Sequence, residues 1–254
     1  MFILKILYDK SKICFAVAWI VTYCVLMSVG DAISAWVGID KSVTLGIGVV
    51  LSIILLLFLK KYGLFSVYGL CAPGISAGGM LYYVPILIML SVNLWYGVTL
   101  NGDVLETVLY VLAMLCVGFL EEIIFRGLLF EAMRRDSVKA AIIVSSVTFG
   151  IGHIINLING SGVELLPNLL QVVYATAAGF MFVMIYYKSK SLLVCIAAHG
   201  IFNALSVFAN EAGATGEMRI LTALSLTVIT GSYALYLAIS MKGIPTDQSI
   251  RNEK

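Results

Sequence analysis

The stretch GFLEEIIFRG, Gly118 to Gly127, sets two adjacent glutamates and an arginine inside a long apolar run. In hydrocarbon each ionised side chain costs at least ~2.5 to 3.5 kcal/mol on insertion scales. Three such groups within six positions either lie outside the apolar layer or serve a site within it. The rest of the chain has the same character as the run around them: 61% hydrophobic and 12% charged residues, with a mean hydropathy of +1.03. A soluble chain carries roughly 25% charged residues. A core packed in water cannot absorb this excess of apolar side chains, so the natural solvent is a bilayer. The expected fold is all-α: a polytopic membrane protein, one bundle of about eight transmembrane helices.

Runs of about 20 apolar residues, the length a spanning helix needs, fall near 13–30, 43–59, 78–97, 103–125, 138–157, 169–187, 191–210 and 219–241. The fourth can continue as helix through RGLLFEAM to Met133, with Gly127 as a candidate bend. The first lacks an Ala-x-Ala cleavage pattern and reads as an uncleaved span. KKYGLFSVYGLCAPGISAGG, marked by Pro73 and its glycines, reads as a loop or interfacial segment. No internal repeat stands out, and the whole of 1–254 reads as a single membrane domain, with a core carrying the site over 103–210 and a polar cytoplasmic tail over 243–254.

Eight spans place both termini on one side. With them go Lys5, Lys10, Lys12, Lys60, Lys61, Arg126, Arg134, Arg135, Lys139, Lys188, Lys190, Lys242, Arg251 and Lys254, leaving only Lys41 and Arg219 opposite. The positive-inside rule then sets both termini in the cytoplasm and the chain in the cell membrane. Five scattered cysteines form no CxxC pair, so they support neither a disulfide framework nor a thiolate metal site and read as small apolar fillers. The expected partners are the lipid bilayer and a peptide or protein substrate in the membrane, with no nucleic acid; the oligomeric state stays open.

The ionisable groups left inside the spans are Glu121, Glu122 and Arg126 on the fourth, His153 on the fifth and His199 on the seventh; the last two are the chain's only histidines. Counted at 1.5 Å per residue from the cytoplasmic ends, Glu121 lies about 18 Å up, His153 about 22 Å, and His199 and Asn203 about 12 and 18 Å. Three helices thus bring polar groups to a common layer. Glu122 and Arg126 are i and i+4 and can pair; Glu121 lies a step around the helix and need not be consumed by Arg126. His199 and Asn203 share a face and can stabilise an oxyanion. A carboxylate withdrawn from water is suited to act as general base near neutral pH. Glu121 and His153 could hold one water that attacks a peptide carbonyl. The alternative is a divalent metal such as zinc on Glu121, His153 and His199. No HExxH is present, and the reading favours no cofactor.

These residues resemble the CPBP family, the CAAX proteases and bacteriocin-processing enzymes. EEIIFR (Glu121 to Arg126) is similar to its EExxxR motif, FGIGH (Phe149 to His153) to its FxxxH motif, and HGIFN (His199 to Asn203) to its HxxxN/D motif. The resemblance covers roughly residues 103 to 205. It implies an eight-helix intramembrane endopeptidase with a cavity open toward the cytoplasm. In it Glu121 matches the water-activating glutamate, His153 its partner, and His199 and Asn203 the oxyanion pair. Glu122 and Arg126 take positioning roles, and Phe149 packs beside the site. Prenylated proteins are the substrates of the eukaryotic branch; peptide maturation, bacteriocin self-immunity and partner regulation are linked to bacterial members.

Each residue taken singly has a plainer reading: Glu122 with Arg126 as a structural ion pair, either histidine as a satisfied interior group. Gly150, Gly152 and Gly200 permit close helix approach or are ordinary membrane-helix glycines. Gln171 is left outside the site. Two other functions compete with the peptidase: a non-catalytic membrane regulator or bacteriocin-immunity protein that uses the fold to bind a partner, and a proton-coupled transporter. The transporter would favour inverted repeats and paired broken helices, which are not seen.

Overall fold

Apolar runs that must satisfy their own backbone in lipid become helices. In a computed structural model, which describes residues 1–159 and 163–240, all of the runs are largely helical. The helices are α1 (Phe2–Lys10), α2 (Lys12–Val37), α3 (Ser42–Lys61), α4 (Tyr83–Ser91), α5 (Val104–Met133), α6 (Val138–Gly152), α7 (Leu165–Ser189), α8 (Leu193–Leu205) and α9 (Gly216–Ser240). One further turn spans Ala77–Met80. The expected polar tail over 243–254 lies outside the described residues.

The architecture is all-α and polytopic. Among the described residues, six helices are long and apolar enough to cross a membrane; two further apolar segments, Tyr83–Leu94 and Leu193–Phe208, are shorter. The eight expected runs are therefore six long helices and two short ones. The first is longer than expected, because α2 continues to Val37 and carries Asp31 into the bundle. The bundle's exterior is apolar: Val104, Leu87 and Val228 are among many exposed large side chains, while Glu122, Arg126 and His199 are buried inside.

Small residues set the helix spacing. A Cβ on Gly118 of α5 would lie 2.5 Å from the Cα of Gly200 on α8, so these backbones touch. Gly150 of α6 meets Thr176 of α7, and Gly179 of α7 meets Ser146 of α6. Such contacts replace the hydrophobic drive that helices lack in lipid. Gly152 has nothing within 4 Å of its Cβ position and sets no spacing.

The N-terminal end of the bundle is closed. The chain turns sharply at Ser11, whose extended backbone separates α1 from α2. Ser11 also caps α2, accepting from the Cys14 N–H at 3.2 Å. Tyr8 then packs on Phe15 and Phe58 with ring centroids at 5.3 and 5.5 Å. Its hydroxyl accepts from Tyr68 at 2.9 Å. Burial, followed by that bond, pushes the Tyr68 hydroxyl pKa well up, so this contact stays protonated at neutral pH. The loop carrying Tyr68 docks on the α7–α8 turn through Leu192 N–H to Gly69 C=O and Gly74 N–H to Ser189 C=O, both 2.8 Å. Gly69 is required there: its φ is +70°, and a Cβ would sit 2.5 Å from the Tyr186 ring.

Candidate active site

At Glu122 the long helix α5 widens. Residues Glu122–Phe130 form a π-helical segment, and all nine are buried. Such segments inside α-helices recur at functional sites. The Ser145 hydroxyl of α6 donates to the Phe125 carbonyl at 2.8 Å, tying the widened turn to its neighbour. Within it, Arg126 Nη1 donates to Glu122 Oε1 at 3.0 Å, and both side chains are wholly buried. The sequence reading placed Arg126 among the basic residues at the cytoplasmic side. It also set Arg126 inside the fourth span as the partner of Glu122, and that interior placement is the one found, with Glu122 supplying the counter-charge. The Arg126 guanidinium carbon lies 4.0 Å from the Phe149 ring centroid and 5.7 Å from that of Phe182. Arg126 Nε and Nη2 have no hydrogen-bond partner; the aromatic faces offset part of that cost.

The Gly118–Gly200 contact brings His199 against both glutamates. Its Nδ1 is 2.9 Å from Glu122 Oε1, and its Nε2 is 3.4 Å from Glu121 Oε2. The ring stacks on Phe182 at 5.8 Å and meets Phe149 edge-on at 5.6 Å. The other oxygen of Glu121, Oε1, accepts the Tyr23 hydroxyl of α2 at 2.7 Å. Glu121 Oε2 has no hydrogen-bond partner among the described residues.

His153 sits where α6 tightens into a 3-10 turn, His153–Leu157. Its Nδ1 is 3.0 Å from the Phe149 carbonyl. A carbonyl only accepts, so Nδ1 carries the proton and a neutral ring presents Nε2 as acceptor. Asn168 of α7 donates to the His153 carbonyl at 2.8 Å and holds the turn. No direct hydrogen bond joins His153 to Glu121, but both line one cavity of about 330 Å³, together with Phe149 and Asn203. Among the described residues, no group of three His, Cys, Asp or Glu side chains is placed to hold a metal ion, so the set Glu121, His153 and His199 is not arranged as a ligand shell.

Residues 103–205 match the family model described as Type II CAAX prenyl endopeptidase Rce1-like. This segment is similar to the Rce1-like family. A protein of Bacillus subtilis (strain 168) named "Putative membrane peptidase YdiL" is 34% identical over 108 residues, 41% of this chain and 39% of that protein. The match thus spans about two fifths of the curated relative's length. No solved structure matches the chain. The Rce1-like segment contains every sequence-predicted site residue, and the structure gathers them. Glu121, His153, Asn203 and Phe149 line the cavity, with His199 Nε2 3.4 Å from Glu121 Oε2 and with Glu122 and Arg126 buried behind it.

Two side chains at the cavity were not placed in the site from sequence: Tyr23 was not singled out, and Gln171 was left outside. Tyr23 lies outside the Rce1-like segment, on α2. Its signal was faint: Tyr23, Met27 and Asp31 recur every four residues, but Asp31 fell beyond the span as drawn. Gln171 of α7 does line the cavity and accepts from Asn156 Nδ2 at 3.1 Å.

Proposed function

We propose that this chain is an intramembrane endopeptidase in which Glu121 activates water against a peptide carbonyl. The supporting observation is the Glu121 carboxylate. One oxygen is held by Tyr23; the other, beside His199, lacks a hydrogen-bond partner among the described residues, and Glu121 lines a cavity inside an apolar bundle. The Rce1-like match and the name of the Bacillus subtilis relative favour the same chemistry.

Glu121 Oε2 and His153 Nε2 are both acceptors, so together they take the two protons of one water and turn its lone pairs outward. As that oxygen attacks the carbonyl carbon, Glu121 takes one proton. The tetrahedral oxyanion is met by the Asn203 amide. Glu121 then returns the proton to the leaving nitrogen as the C–N bond breaks. His199 differs here from the role its resemblance implies. Both its nitrogens face carboxylates, so it positions Glu121 against the Glu122–Arg126 pair rather than donating to the oxyanion.

For orientation, ten of the twelve described basic residues outside the buried site gather at the closed end, Lys5, Lys10, Lys12, Lys60, Lys61, Arg134, Arg135, Lys139, Lys188 and Lys190, against Lys41 and Arg219 at the other. That asymmetry supports a cytoplasmic N-terminus in the cell membrane.

The test is a comparison of membrane peptidomes between wild-type and Glu121→Gln cells, followed by cleavage of the identified peptides by reconstituted protein. Removing a general base lowers such rates about 10² to 10⁴-fold. Wild-type rates in properly folded Glu121→Gln protein would overturn the reading. Full biological function in Glu121→Ala and His153→Ala cells would point to a binding role instead.

A further inference from the structure

We infer that the cavity admits its substrate from the end of the bundle opposite the N-terminus, the extracytoplasmic side, and that this substrate is an extended, water-borne polypeptide segment. The inference rests on the peptidase reading only for the word substrate; the direction of access stands on the cavity itself.

The lining runs one way from the site. On α2 it climbs from Tyr23 through Met27 to Asp31, toward the α2–α3 turn. On α5 it climbs from Glu121 through Val117 and Met114 to Tyr110. On α6 it continues past His153 to Asn156. In the other direction it stops at Phe125, and the next residues of α5, Leu128, Leu129 and Phe130, are buried. Beyond them lies the seal of Tyr8, Phe15, Phe58 and Tyr68. A cavity open toward the cytoplasm, which the family resemblance implies, does not fit this arrangement combined with the basic N-terminal end.

The mouth is polar. Lys41 Nζ pairs with Asp31 Oδ1 at 2.8 Å, and the Thr44 hydroxyl donates to the same oxygen at 2.7 Å. Tyr110 and Ser206 join their hydroxyls at 2.9 Å. A lipid chain brings no donor or acceptor to such a polar mouth, whereas a peptide backbone brings both. From Tyr110 to Glu121 is eleven residues of helix, about 16 Å at 1.5 Å per residue. An extended chain covers that in about five residues at ~3.3 Å each. The scissile bond therefore lies several residues from any folded part of the substrate, so a mobile tail or an unwound segment fits and a folded domain does not.

Cys24 lines the cavity beside Tyr23, while Cys71 lies in the loop at the closed end. Two reporter proteins keep one of these cysteines each and replace the other four with alanine or serine. A third carries Ser28→Cys alone, one turn nearer the mouth than Cys24. Each is treated with a charged, membrane-impermeant methanethiosulfonate on intact cells or spheroplasts and on sealed inverted vesicles. The expected result is modification of Cys24 from outside only, faster modification of Ser28→Cys from outside, and modification of Cys71 from the vesicle exterior only. Modification of Cys24 only from the Cys71 side overturns the inference. So does protection of both Cys24 and Ser28→Cys from both sides in correctly folded protein.

The labelling requires no turnover and is repeated on Glu121→Gln. Outside access without cleavage spares this inference and removes the peptidase; cleavage with access from the Cys71 side does the reverse. Peptide ends made by wild type and lost in Glu121→Gln should map to extracytoplasmic segments. Ends that map to cytoplasmic segments or to lipidated tails overturn the substrate class.

Discussion

The hydroxyl of Tyr23 donates a 2.7 Å hydrogen bond to Oε1 of Glu121, joining the first long helix to the segment that bears the site. A hydrogen bond to a charged group contributes about 1.5–3 kcal/mol. Tyr23→Phe removes the donor and keeps the ring. Cleavage by Tyr23→Phe should fall about tenfold or more, in kcat rather than KM, at 1.36 kcal/mol per factor of ten. Steady-state kinetics on reconstituted protein decide this. An unchanged kcat would show that Glu121 is held without Tyr23.

The two adjacent glutamates should separate by assay. Glu122 and Arg126 are fully buried against each other, whereas Glu121 borders a cavity. Breaking a buried pair by removing one partner costs about 3–5 kcal/mol. Arg126→Met should therefore lower the thermal midpoint in detergent strongly, whereas Glu121→Gln should leave it nearly unchanged and abolish cleavage. The double variant Glu122→Gln with Arg126→Met should lose less stability than the sum of the single losses, because the two share one interaction. A midpoint for Arg126→Met equal to wild type would show that the pair carries no stability.

The long helices were legible because each apolar run had only a bilayer to satisfy it. The common depth of Glu121, His153, His199 and Asn203 was legible for a related reason: ionisable groups are costly enough in lipid that their presence marks a place. Sequence could not show what those groups touch. Tyr23 and Glu121 are 98 positions apart, and an aromatic residue in an apolar run reads as packing. The Glu122–Arg126 pair was legible from its i,i+4 spacing, but the widened turn of α5 that buries it is invisible to a periodicity count. The docking of the loop around Gly69 on the α7–α8 turn is likewise a tertiary contact with no local signature.

Gly118 illustrates the same limit and yields a sharp test. Its Cβ position lies 2.5 Å from Gly200 Cα and N, so any side chain forces α5 and α8 apart. Overpacking of this kind costs typically ~1–3 kcal/mol. Gly118→Ala should lower the thermal midpoint and depress cleavage further than stability alone explains, because His199, next to Gly200, retreats from Glu121. Gly46→Ala is the control, since nothing lies within 4 Å of that Cβ position. It should be neutral or slightly stabilising, as alanine gains up to about 1 kcal/mol over glycine in a helix. Equal behaviour of the two variants would contradict the close contact.

The lone pairs around the site also bear on metal dependence. Glu121 Oε1 is taken by Tyr23, His199 faces a carboxylate on each side, and His153 Nδ1 is held by the Phe149 carbonyl. In the proposed reaction that leaves Glu121 Oε2 and His153 Nε2, enough to orient a water but short of the three protein ligands a catalytic zinc takes. Cleavage by purified protein should therefore survive dialysis against excess EDTA and show no gain on added zinc. Loss of activity on chelation, restored by a stoichiometric divalent ion, would mean that His199 leaves Glu122 to complete a metal shell with Glu121 and His153. Arg126 would then lose the imidazole beside its carboxylate partner, and the thermal midpoint would shift with metal as well.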